Sequence, residues 1–227
     1  MGIFSSIGSA FSSACSYVGS AVSTAASWAG SALSAVVSAG GSLIGGVANM
    51  AGNLLRGLGI FGRDDPPTEG WGDRAIQAEE QKIFPDSFDD FPAYLDALRN
   101  FPLDPDKTKE STLEEKQFKG LEVAGRALED KFNAPEGSMA NVFYLAAANP
   151  AYFTSERFES LLNSGADVAA VAAYFDGKLG GAESLDIENE LIDLDQKANP
   201  GSNEQTSRAE LYEAVETAQH TIRNILN

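Results

Sequence analysis

Large apolar residues recur every eleven positions at the start of the chain, at Phe11, Val22, Leu33, Ile44 and Leu55. Each stands three positions after a glycine, at Gly8, Gly19, Gly30, Gly41 and Gly52. Eleven residues make three helical turns at about 3.67 residues per turn, so one face holds its direction along a long helix. Serine marks the opposite face. Ser5, Ser9, Ser12, Ser16, Ser20, Ser23, Ser27, Ser31, Ser34, Ser38 and Ser42 follow 4-3-4 steps, and Gly45, Asn49, Asn53 and Arg56 continue the line. On a helical wheel the glycine and serine positions fall within an arc of roughly 130°, with Ala, Val, Leu, Ile and Phe on the remainder. The pattern predicts an amphipathic α-helix over residues 5 to 56, with breaks allowed at Gly40-Gly41 and Gly45-Gly46.

The polar face of this helix carries hydroxyls and no charge, for no charged side chain precedes Arg56. A surface helix in water ordinarily carries Lys and Glu there. Phased glycines lower helix propensity by up to about 1 kcal/mol each, and the usual return is close approach of another backbone, as in small-xxx-small contacts between helices in lipid. The glycine line therefore predicts self-association of like helices or close contact with a membrane. As one helix the segment would measure roughly 78 Å, against about 30 Å for a bilayer core.

The pattern then changes. Over residues 63–108, prolines alternate with acids and with Trp71, Phe84, Phe88, Phe91 and Phe101, which predicts an extended segment with one short helix near 89–100. From Ser111 onward the spacing is helical to the end. Ser111-Thr-Leu-Glu114 reads as a capping box before Leu121, Ala124, Leu128 and Phe132 on one face, with Asn133-Ala-Pro135 as the stop. Further helices are expected over 138–148, 154–163, 166–178 and 184–196, and a last one capped by Ser207 and Glu210. No stretch alternates long enough for a strand. The expected fold is all-α, in three parts: an uncharged repeat helix over 1–62, an extended Pro/aromatic linker over 63–108, and a small helical domain over 109–227.

Charge sharpens the division. The net charge is −17, yet all 33 acids lie after Arg63, where only 14 of the 16 cations are found. Direct binding of nucleic-acid phosphates by the acidic part is disfavoured. Candidate chemistry is sparse. Cys15 is the only cysteine and His220 the only histidine, so neither a disulfide framework nor a His/Cys metal site can be assembled within the chain. Gly57-Leu-Gly-Ile-Phe-Gly62 matches a dinucleotide fingerprint by letter but follows a helix rather than a strand, and reads as a helix end. Asp193-Leu-Asp195 with Glu204 resembles the ends of a calcium loop, but Lys197 takes a ligand position and Ala198 replaces the turn glycine. No catalytic residue, cofactor or metal is expected, and the chain reads as non-enzymatic. Gly2, within Met1-Gly-Ile-Phe-Ser-Ser6, matches the N-myristoylation pattern, which would add one acyl chain to the helix as a second membrane signal.

An uncharged Gly/Ser/Ala helix joined to an acidic helical domain resembles the membrane-penetrating proteins of virions: phage ejection or DNA-pilot proteins, and minor capsid proteins of non-enveloped or internal-membrane viruses. The resemblance lies in the character of residues 1–62 and carries over no functional residue. It implies a virion location, a homo-oligomer beside other virion proteins, and insertion into a host membrane or envelope during genome delivery. Two other classes share features. The Ser/Gly polar face is similar to that of the amphipathic lipid-packing sensors of peripheral membrane proteins. A structural minor capsid or portal-associated component would pack the same helices dry against each other.

Overall fold

In the computed structural model, residues 41–226 are described, and they form ten α-helices and one 3₁₀ turn with no strand among them. The expected helix copies before Gly41, including Gly2, lie outside the described residues. The first described helix, α1 (Gly41–Gly57), is the last part of the eleven-residue repeat and runs unbroken through Gly45-Gly46. Its apolar positions Ile44, Val47, Ala48, Ala51, Leu54 and Leu55 are all buried. Ile44 and Leu55, one period apart, thus sit in the core.

The apolar face of α1 is covered by four other helices of the same chain, so residues 41–57 pack with the helices that follow. The stretch expected to be extended is also mostly folded. After a turn at Gly57–Gly62, where Gly59 takes a positive φ of 71°, helix α2 (Thr68–Glu80) begins behind Pro66-Pro67. A 3₁₀ turn (Pro85–Ser87), α3 (Phe91–Arg99), capped by Asp90, and the short α4 (Pro105–Thr108) follow. Trp71 is fully buried and stacks on Phe61 with centroids 4.7 Å apart. Phe101 is buried too, whereas Phe84 is exposed, so the aromatics of this stretch are anchors as well as surface.

The long helix α5 (Leu113–Phe132) packs most extensively against α2 and next against α1. Glycine sets how near α2 and α5 come. A Cβ on Gly72 would stand 1.8 Å from the Lys116 carbonyl oxygen, and one on Gly120 would stand 2.0 Å from that of Thr68. Only hydrogen fits at either place. The cap of α5 is Thr112 with Glu115, one residue later than the expected Ser111/Glu114 pair, and Asn133 ends the helix in the left-handed region at φ 49°.

Helix α6 (Ala140–Ala148) is apolar all round and buried from Asn141 to Ala148, as such a helix must be. Asn149 closes it, receiving Tyr152 N–H on its side-chain oxygen and donating its amide to the Ala214 carbonyl. Then come α7 (Ser155–Ser164), α8 (Val168–Phe175), α9 (Gly181–Ala198) and α10 (Glu204–Leu226). The last helix starts before the expected Ser207 cap. Asn203 takes that role by accepting from Thr206 N–H at 3.0 Å, which leaves Ser207 inside the helix and buried. Phe153, Phe158 and Phe175 make one aromatic cluster under α7 and α8.

Candidate functional site

The polar line of the repeat continues onto α1 as its uncovered strip. Gly46, Asn49 and Asn53 are exposed, while Leu43, Gly45, Met50 and Arg56 are half-buried. Gly41 and Ser42 lie in the first turn of the helix. Of the glycines expected to admit a like helix, Gly52 meets a neighbour in its own chain. The Thr68 hydroxyl donates to the Ala48 carbonyl at 2.7 Å, and a Cβ on Gly52 would stand 2.9 Å from that hydroxyl. The glycine lets α2 start against α1. Ser5, Ser9, Ser12, Ser16, Ser20, Ser23, Ser27, Ser31, Ser34 and Ser38, with Gly8, Gly19 and Gly30, lie outside the described residues.

Beside the uncovered strip runs a shallow groove of about 250 Å³. Gly46, Met50 and Asn53 form its α1 side; Ala146 and Pro150, at the end of α6, and Phe153, Thr154 and Ser155, at the start of α7, form the other. No ionisable side chain lines it, on a protein with net charge −17. Thr154 is already engaged as the cap of α7, its hydroxyl accepting from Arg157 N–H.

The cations lie elsewhere and tie elements together. Arg99 makes a forked pair with Asp65, Nε to Oδ1 at 2.7 Å and Nη2 to Oδ2 at 2.9 Å, with its guanidinium over the Trp71 ring. Arg56 donates to the carbonyls of Asp65 and Pro66, so the turn between α1 and α2 is pinned from both sides. Lys119 on α5 lies 2.5 Å from Glu79 of α2 and 2.7 Å from Glu122. Arg157 pairs with buried Asp195 at 3.0 Å and covers the Tyr152 ring at 3.9 Å. Burial pushes the Tyr152 hydroxyl up to about 12, with Arg157 opposing. Asp195 therefore faces a guanidinium, and among the described residues no group of three or more His, Cys, Asp and Glu is placed to hold a metal. His220 sits exposed on α10, its Nδ1 within 3.2 Å of the Asn224 amide.

One buried acid is poorly served. Glu129 on α5 is 6% exposed, and one of its carboxylate oxygens has no hydrogen-bond partner. Burial pushes its pKa above the ordinary 4.5, against the Met139 N–H and Arg126. Asp65 is shifted the other way, chiefly by its hydrogen bond from Arg99. At Asp195 burial opposes ionisation, but hydrogen bonds from Ser207 and Arg157 and the charge of Arg157 hold it below 3.8. The raised Glu129 destabilises the fold as a charge, so its cost disappears as pH falls through its folded pKa. The lowered aspartates stabilise the fold above 3.8 and lose that contribution as pH falls through their folded values. The melting temperature is thus expected to rise as pH falls from neutral through the folded pKa of Glu129, and to drop again as pH falls through those of the aspartates. Glu129→Gln should melt higher than the parent at pH 7.5, with the gap narrowing on acidification. A gap independent of pH would show that the Glu129 charge is not its source.

No family model, curated protein or solved structure matches this chain. The surface just described therefore stands on its own chemistry.

Proposed function

We propose that this chain is a non-enzymatic virion protein whose uncharged repeat self-associates and enters a host membrane during genome delivery. The observation that carries this reading is the repeat itself: an apolar face and a serine face kept in phase by an eleven-residue period, with no charge before Arg56. Helix α1 supports the phase, since it buries the apolar positions and exposes Asn49 and Asn53 of the polar line.

The domain claims the last copies of the repeat, which leaves residues before Gly41 for the membrane. As a helix these would extend roughly 60 Å, still twice the ~30 Å of a bilayer core. Among the described residues no helix is long and apolar enough to cross a membrane, so any insertion falls to that upstream part. In an oligomer, hydroxyls facing inward hold water at low cost while Ala, Val, Leu and Phe face lipid. The acidic helical domain then serves as the soluble body that meets other virion proteins. A weakly polar, uncharged wall also suits passage of a polyanion, because it offers no cation to arrest phosphates.

Dye release from vesicles by the full chain tests the reading. Ser20→Leu with Ser27→Leu, on the serine line, should reduce release more than Ala21→Leu with Ala32→Leu on the apolar side. Equal effects, or release by a strictly monomeric protein, would overturn the serine-lined conduit in favour of a surface-lying, packing-sensing helix.

A further inference from the structure

Between α5 and α6 the chain turns over residues 133–139, with Asn133 and Gly137 both at positive φ, and two side chains of α5, one helical turn apart, reach over to it. Arg126 Nη1 pairs with Glu136 Oε1 at 3.2 Å. Glu129 Oε1 accepts the Met139 N–H at 3.4 Å, longer than the ~2.7–3.2 Å of an ordinary N–H···O bond. The other oxygen of Glu129, Oε2, has no hydrogen-bond partner, for Arg126 stands 3.6 Å from it and is nearer to Glu136. Arg126 and Glu136 are the charged groups that act on this carboxylate, and they oppose each other. Helix α6 brings no acid or base to it, and its Tyr144 is engaged with Asp176.

Glu129 is 6% exposed, so as a charge it keeps one oxygen out of water with nothing in exchange, whereas a protonated carboxyl costs far less there. The fold has two escapes: to unfold, or to lift the turn off α5 and let water reach the carboxylate. The second is the smaller step. Asn133, Pro135 and Glu136 are already exposed, and lifting the turn gives up one long hydrogen bond and an ion pair whose acid is 46% exposed.

We propose that residues 133–139 form a pH-controlled latch, held against α5 while Glu129 is protonated and opening when it is ionised, which uncovers Met139. What opening shows to water is apolar, since Met139 is 6% exposed and Ala134 packs on the core. The latch therefore shields this surface in acid and offers it at neutral pH. The closed turn holds the pKa of Glu129 above 4.5 and the open turn returns it toward 4.5, so the closed form binds the proton more tightly. Opening accordingly grows with pH by up to about tenfold per unit between 4.5 and the folded pKa, and levels off above it.

Backbone hydrogen exchange of the full chain, read by mass spectrometry between about pH 5 and 8 and corrected for the intrinsic pH dependence of amide exchange, tests the latch. Protection over residues 134–141 is expected to stay below that of residues 120–128, in the middle of α5, and to fall with rising pH by the factor just given. Glu129→Gln, which has no charge to relieve, should hold residues 134–141 at their acid protection at every pH. Three results would each overturn the proposal: a parent profile flat with pH, a pH dependence that survives Glu129→Gln, or protection equal to that of residues 120–128 throughout, in which case the turn opens only when the whole domain unfolds. Should Glu129→Gln fail to fold, the first and third readings on the parent still decide.

Discussion

Gly72→Ala and Gly120→Ala are each expected to destabilise the protein by more than about 3 kcal/mol, beyond the usual cost of overpacking, or to prevent folding. The methyl group on residue 72 would need the space of the Lys116 carbonyl oxygen, 1.8 Å away, and that on residue 120 the space of the Thr68 carbonyl, 2.0 Å away. A flexible side chain yields to such pressure by changing rotamer, but a helix backbone yields only by moving the whole helix. Moving α2 from α5 would loosen Trp71, Ala75 and Ala78 on one side and Leu121 and Ala124 on the other, all buried. For a domain of this size each kcal/mol is worth roughly 2–4 °C, so a melting temperature lower by more than about 6 °C is the measurable outcome. Gly46→Ala is the control, being a helix-interior glycine with open space above it. There alanine should stabilise, by up to about 1 kcal/mol from helix propensity. The same chemical change is expected to act with opposite sign at the two kinds of site. Equal, small effects at residues 46, 72 and 120 would show that α2 and α5 do not approach as described.

These two glycines also explain what the sequence concealed. Residues 68–80 contain Gly70 and Gly72 directly after Pro66-Pro67, a composition that lowers helix propensity and reads as loop. The helix forms because its glycines admit α5, an advantage that exists only once both helices are present. Most helices from residue 91 onward were legible because their caps and stops are local, although the box of α5 is Thr112 with Glu115 rather than the expected Ser111 with Glu114: Asp90, Thr112, Thr154 and Asp167 each accept from a backbone N–H of the first turn. Where two caps competed, at Asn203 and Ser207, tertiary contact decided, since Ser207 is drawn inward toward Ser202 and Asp195. The phase of the repeat was legible over α1, but its surroundings were not. An apolar face without charge is equally suited to lipid and to a protein core, and nothing in residues 41–57 alone distinguishes the two. The groove was beyond reach for a similar reason, as its far side comes from residues 146–155, a hundred positions along the chain.

A chain beginning at residue 41 is expected to melt cooperatively, whereas chains beginning at residue 63 or 109 are expected to lose the transition. Helix α1 places Ile44, Val47, Leu54 and Leu55 in the core, each no more than 3% exposed. Burying an aliphatic side chain of this size is worth about 1.5–3 kcal/mol, so these four contribute roughly 6–12 kcal/mol. That is comparable with the whole net stability of an ordinary domain, about 5–15 kcal/mol. Deleting α1 also strips cover from α5, α6 and α7, which then present apolar surface to water. Starting at residue 109 removes α2 as well, the most extensive neighbour of α5, and leaves Gly120 facing nothing. The shorter chains should show helical circular dichroism without a sigmoidal melt, and should bind dyes that report exposed apolar surface. The chain from 63 keeps the Arg99–Asp65 pair but loses Arg56, which pins the turn, and the chain from 109 loses all three. A sharp melt for residues 109–227 alone, close to that of residues 41–227, would mean that the uncharged repeat ends outside the core, and would return residues 41–62 to the membrane.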